Sequence, residues 1–143
     1  MTDLLELYRM ADESGVTVDC FELKKRETLS FMDTDGECFI AIDPLKLRST
    51  RDETMKLAHE MGHCFTGSFY NQYAACDIRQ KHENRANKWA IEKLIPEHEL
   101  EKAVDEGCTD IFSLADHFNV TEDFMKMAVC WYTYGNLAVN LYF

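Results

Sequence analysis

His59-Glu60-Met61-Gly62-His63, inside residues 50–65, constrains this chain more than any other feature. On an α-helix, residues four apart lie about 40° apart around the axis and roughly 6 Å apart along it, so imidazoles at 59 and 63 can share one small cation. Glu60 then stands beside that cation rather than on it. Leu57, Met61, Cys64 and Phe65 recur at helical spacing on the side roughly opposite the two histidines, so such a helix needs cover on both faces. Thr50 followed by Glu53 reads as a capping box, and Asp52 and Glu53 put negative charge in the first turn. Gly62 in a helix interior costs about 1 kcal/mol relative to alanine, which predicts a close approach of another element there.

Two histidines rarely complete a zinc site, and catalytic sites usually offer three protein ligands while keeping a position open for water. Glu83, twenty residues after His63, is the candidate third ligand, because that interval lets the chain turn and lay a second helix alongside the first. Glu83, Asn87, Ala90 and Leu94 form one stripe, so the carboxylate shares an inward face with core residues. Asn87 either accepts the free N–H of a ligand histidine and fixes its tautomer, or makes a structural hydrogen bond. Two imidazoles and one carboxylate favour zinc, although manganese or iron accept the same set. With Glu60 left free to take a proton from water on the metal, these are the parts that His-Glu-x-x-His supplies in metalloproteases. The sequence nominates no oxyanion donor; Tyr70, Tyr73, His82, His98 and His117 are each expected in surface or packing roles.

The 143 residues are 46% hydrophobic, enough for one sizeable core, and two prolines with six glycines leave no flexible linker. Residues 1–143 therefore read as a single domain. A net charge of −11 argues against direct contact with nucleic acid, which binds through Lys and Arg neutralising phosphates. No apolar run approaches the ~20 residues of a membrane span, and the polar start MTDLLELYR is not a signal peptide, so a cytosolic location is expected. In that compartment the cysteines at 20, 38, 64, 76, 108 and 130, with no Cys-x-x-Cys pair, are expected to be reduced and mostly buried.

Residues 2–13 suit an amphipathic helix ending near Gly15, and residues 16–21 read as a first strand. Strands at 28–32 and 37–42 are joined by Asp33-Thr34-Asp35-Gly36, a strong hairpin signal. Beyond the motif helix, a loop is expected over 66–80, then a second major helix over 81–94 that Ile95-Pro96 stops. Shorter helices follow at 97–106, 111–118 and 122–133, and the apolar end LAVNLYF docks as a terminal strand or meets a partner. These elements predict an α+β fold in which a small antiparallel sheet packs with a mostly helical core. Residues 112–129 have a helix-turn-helix outline, but Glu122 and Asp123 open the second helix where they would repel phosphate. Packing around Phe118, Phe124 and Met127 is the expected role of that segment.

The motif, the run Glu83-Asn84-Arg85-Ala86-Asn87-Lys88-Trp89-Ala90 leading to Leu94-Ile95-Pro96, and the later Leu114-Ala115-Asp116-His117-Phe118-Asn119-Val120-Thr121 together carry a resemblance. With the hairpin before the motif, residues 16–130 resemble the ImmA/IrrE family of gluzincin-like metallopeptidases. Met61 and Trp89 replace a more usual branched aliphatic and phenylalanine, and neither is a ligand position. The resemblance implies a zincin-like core in which His59, His63 and Glu83 hold Zn2+, with Mn2+ or Fe2+ possible, and Glu60 acts as general base. It also implies a protein substrate, a helix-turn-helix repressor encoded by the same prophage or mobile element. Residues 37–42 would be the sheet edge on which an extended substrate segment lies. Many family members carry a helix-turn-helix DNA-binding domain, for which this chain has no room, so direct DNA binding is not expected. The rival expectation is a metal-containing binding protein of the same fold that sequesters a repressor or antitoxin without cutting it.

Overall fold

The computed structural model describes residues 2–71 and 73–143. Helix α1 (Leu4–Glu13) begins where the Asp3 side chain accepts the Glu6 N–H at 2.9 Å, and it buries Leu7 and Ala11. Strands β1 (Thr17–Cys20), β2 (Thr28–Met32) and β3 (Cys38–Ile42) form one sheet. Then come the two long helices α2 (Thr50–Thr66) and α3 (Cys76–Leu94), followed by α4 (Glu97–Asp105), α5 (Ile111–Phe118), α6 (Glu122–Tyr134) and α7 (Val139–Tyr142). The α+β class is as expected.

The sheet is mixed rather than wholly antiparallel. Its order is β1-β3-β2, with β1 parallel to β3 and β2 antiparallel to it. The connection over residues 21–27 spans the width of a strand, about 5 Å per step, and leaves a slot that β3 fills on its return from the hairpin. Asp43 holds that crossing in place. Its carboxylate accepts the Leu23 N–H at 3.0 Å and the Leu45 N–H at 3.1 Å, and the Lys46 ammonium donates to the Leu23 carbonyl. The two backbone hydrogen bonds keep the Asp43 carboxyl below the usual carboxylate range. The strand expected to be the open edge, residues 37–42, is thus the central one, and the edge nearest α2 belongs to β2.

Ile40 and Ile42 of β3 pack under α2, where Leu57, Ala58 and Met61 are buried, and Ala90, Ile91 and Leu94 of α3 complete the same core. Phe118 and Phe124 are buried and Met127 is half-buried against the same core, the packing role expected of that segment. Arg51 ties this part to the start of α2 through Asp116 Oδ1 at 2.7 Å and Asn119 Oδ1 at 2.8 Å.

Three local expectations change. Helix α3 starts five residues earlier than residue 81, because its first turns are exposed and no side chain caps the start, so neither signal marked it. The C-terminal segment forms the short helix α7, with the Tyr142 ring stacked on Tyr134 at 3.7 Å, rather than a strand. Cys38 and Cys64 form a disulfide, contrary to the expectation of reduced thiols. The start of β3 and the last turn of α2 meet with their Cα atoms 6.0 Å apart, which sequence spacing does not reveal. Cys20 and Cys76 are exposed rather than buried, and burial raises the pKa of the Cys130 thiol. Among the described residues no helix is long and apolar enough to cross a membrane.

Candidate metal centre

Helix α2 is capped one residue earlier than the sequence suggests. Ser49, not Thr50, is the N-cap, accepting the Asp52 N–H at 3.1 Å, and Gly67 ends the helix in the left-handed region at φ 65°. A hydroxyl three residues before an acid occurs at both positions, and the extended backbone of Ser49 makes it the cap. Gly62 meets the expected close approach. A β-carbon there would lie 2.5 Å from the Ala86 carbonyl oxygen, so the two long helices touch backbone to backbone. Glu83 and Asn87, the flanking residues on that face of α3, are thereby brought opposite His59.

The structure brings together His59, His63 and Glu83, whose nearest donor atoms all lie within 4.8 Å of one another. Glu83 Oε2 is 2.9 Å from His59 Nε2, Glu83 Oε1 is 2.9 Å from His63 Nε2, and the two Nε2 atoms are 3.2 Å apart. Each imidazole is fixed from behind. His59 Nδ1 lies 2.7 Å from Asn87 Oδ1, and His63 Nδ1 lies 2.6 Å from the Ser68 carbonyl oxygen. Both partners are acceptors, so each Nδ1 carries a hydrogen, and in the neutral rings each Nε2 presents a lone pair. Two lone pairs facing each other at this distance, with a carboxylate beside both, call for a cation between them.

A divalent ion fits this set. Ligand atoms at about 2.0–2.2 Å on a tetrahedral ion stand roughly 3.3 Å apart, close to the separations found here. Burial opposes charge on Glu83, yet where the two imidazoles are protonated their Nε2 hydrogen bonds and positive charge lower its pKa well below the usual carboxylate range. His59 shifts the other way: burial disfavours its charged form, but Glu83 and Glu60 together raise its pKa. Asn87 has the geometry of the partner that orients a ligand histidine, the first of the two roles the sequence allowed.

Glu60 is 7% exposed and is not among the three residues whose donor atoms converge. Its Oε2 accepts the Thr28 hydroxyl at 2.7 Å and its Oε1 accepts the Ser30 hydroxyl at 2.6 Å. Glu60, the triad, Arg26, Ser30, Phe69 and Tyr70 line one cleft of about 300 Å³. Tyr70, expected in a surface or packing role, instead donates its hydroxyl to Glu83 Oε1 at 3.1 Å, and burial together with Glu83 raises its pKa. The ring of His82 lies 6.1 Å from that of Tyr70, outside the cleft lining. Tyr73, His98 and His117 are exposed, as expected.

Sequence reasoning passed over Thr28, Ser30 and Ser68, and it named Tyr70 only for a surface or packing role. Thr28 and Ser30 left a readable signal: they alternate with Leu29 and Phe31, so one face of β2 is polar where it meets the helices. Ser68 contributes only a backbone carbonyl, and Tyr70 lies in an irregular segment with no periodicity to place it.

The profile of the peptidase M78 family, described as the IrrE N-terminal-like domain, matches residues 11–129. The chain belongs to this family. Membership makes it a metallopeptidase-family domain, and the family's dependence on metal agrees with the donor set at His59, His63 and Glu83. No curated protein matches the sequence significantly. Among solved structures, a Mycobacterium tuberculosis transcriptional regulator matches with a TM-score of 0.64 at 15% identity, over 88% of this chain and 40% of that one. At that identity the likeness is one of fold. This IrrE-like chain spans about two fifths of the regulator's length.

Proposed function

We propose that this chain is a zinc-dependent metallopeptidase in which His59, His63 and Glu83 hold the ion and Glu60 is the general base. The observation that carries the reading is the convergence of two Nε2 lone pairs and one carboxylate beside a buried glutamate that is not part of the converging set. A purely structural zinc site is usually closed by a fourth protein ligand, and among the described residues only three converge.

A divalent ion held there supplies Lewis acidity toward a carbonyl and toward water. The chain's own residues do the rest. Glu60 takes the proton of the attacking water on its carboxylate and returns it to the leaving amine nitrogen. Asn87 and the Ser68 carbonyl hold the imidazoles in the tautomer that keeps each Nε2 available. Tyr70, in the same cleft, is a donor toward the oxyanion once its hydroxyl turns from Glu83. The open edge of β2 gives an extended substrate a strand to pair with, the role first expected of residues 37–42.

The substrate is a protein, and we assign it to a helix-turn-helix repressor encoded by the same prophage or mobile element, on the strength of the family resemblance. The test is to incubate the metal-loaded protein with the repressor encoded next to its gene, with and without chelator, and to weigh the products by mass spectrometry. Chelator-sensitive fragments are expected. Stable association without fragments would support sequestration in place of cleavage.

A further inference from the structure

Both oxygens of the Glu60 carboxylate are engaged by hydroxyls from a single strand, Thr28 at 2.7 Å and Ser30 at 2.6 Å, although neither residue lies in the motif or in α3. We propose that Thr28 and Ser30 are positioning residues that aim Glu60 at a peptide lying along β2. The inference rests on the peptidase reading and adds to it the device that orients the base.

Three observations support it. A carboxylate has about four lone-pair sites, so two accepted hydrogen bonds fix the plane of Glu60 and still leave each oxygen able to receive a proton. The hydroxyls are donors from the sheet side of a side chain that is 7% exposed, so water cannot readily replace them.

The third observation concerns the backbone. At one end of the hairpin the Asp33 N–H bonds to the Glu37 carbonyl, and at the other the Asp43 N–H bonds to the Glu27 carbonyl, both at 2.9 Å. Bonded pairs alternate along an antiparallel ladder, so Leu29 and Phe31 bond to β3. Thr28 and Ser30, opposite Ile42 and Ile40, turn their N–H and C=O groups to the open edge. The residues that hold the base are therefore the ones whose backbone would pair with a bound strand. Register of the peptide and orientation of the carboxylate share the same two residues.

The experiment compares Thr28→Val, Ser30→Ala and the double variant with the conservative Thr28→Ser and Ser30→Thr. Crystal structures of the zinc-loaded wild type and double variant report the Glu60 carboxylate, and the visible spectrum of the cobalt-substituted proteins reports the ligand set. Turnover is followed on a pool of quenched-fluorescent decapeptides. The double variant is expected to keep the cobalt spectrum, show Glu60 displaced or in several conformers, and lose about 10- to 100-fold in kcat, the scale of losing a supporting partner, with KM changed less than kcat. The two conservative variants should stay near wild type. An unmoved Glu60 with unchanged kcat overturns the proposal. If the wild type cleaves nothing in the pool, the peptidase reading loses support while the crystal structures still decide the clamp: displacement of Glu60 supports it and an identical position overturns it.

Discussion

The Ala86 carbonyl oxygen lies so close to Gly62 that a β-carbon on residue 62 would stand 2.5 Å from it, with further Ala86 backbone atoms at 3.0 and 3.1 Å. The obstruction is backbone, so it cannot be relieved by a side-chain rotation. Gly62→Ala should therefore push α3 away from α2 despite alanine's better helix propensity, and carry Glu83 with it. We expect a loss of about 1–3 kcal/mol in urea denaturation, the usual cost of overpacking, together with weaker metal binding. A variant as stable as wild type would mean that the helices can separate freely.

Glu60→Gln keeps the size of the side chain, and its sheet-side contacts once one of the two hydroxyls turns to accept from the amide, but it cannot accept a proton. Metal content and thermal midpoint should stay near wild type, while cleavage falls by about 10²- to 10⁴-fold, the range for losing a general base. Undiminished turnover would remove Glu60 from that role.

Glu83→Ala removes a carboxylate that touches both imidazoles at 2.9 Å. Metal affinity should fall sharply in a competition titration with a chromophoric chelator. Asn87→Leu leaves all three donors but frees the His59 ring, and a smaller loss of about 10- to 100-fold is expected. Equal losses would mean that Asn87 does more than orient the ring.

The Cys38–Cys64 bond closes a separation of 26 residues between β3 and α2. Loop-closure entropy puts its stabilisation at about 3.5 kcal/mol. Adding a reductant, or replacing both cysteines with alanine, should lower the urea midpoint accordingly. No shift would mean that the bond does not form in solution or adds no constraint.

Asp43 carries a pKa below that of an unfolded aspartate, about 3.9, because backbone N–H groups of Leu23 and Leu45 bind its ionised form. The unfolded chain then binds the proton more tightly, so this contribution is fully present above the unfolded pKa and disappears as pH falls through the folded one. The gap in thermal midpoint between wild type and Asp43→Asn should be constant above about pH 5 and shrink below about pH 4. A gap that does not vary over pH 3–7 would contradict it.

Much of the centre was legible because its chemistry is local. The four-residue spacing of His59 and His63 fixes their relation once residues 50–65 are helical, and the stripe of Glu83 with Asn87, Ala90 and Leu94 fixes which way the carboxylate faces. The α+β class followed from the same periodicities. Strand order did not. Whether β1 pairs with β2 or lets β3 in between depends on how residues 21–27 cross the sheet, and that crossing hangs on Asp43, one residue past the expected strand, to which no local pattern points. The disulfide and the contacts of Tyr70 are long-range meetings with no counterpart in local spacing. The hydroxyls of Thr28 and Ser30 lie between these cases, since a polar face turned toward helices asks for a polar partner without naming it.

The most direct test of the centre is the anomalous diffraction of crystals of the metal-loaded protein, recorded on both sides of the zinc absorption edge. The expected result is a single strong peak within coordination distance of His59 Nε2, His63 Nε2 and the Glu83 carboxylate, with Glu60 beside it and not bound. A peak that leaves Glu83 out, or no peak at all with zinc in excess, would contradict the metallopeptidase reading at its foundation.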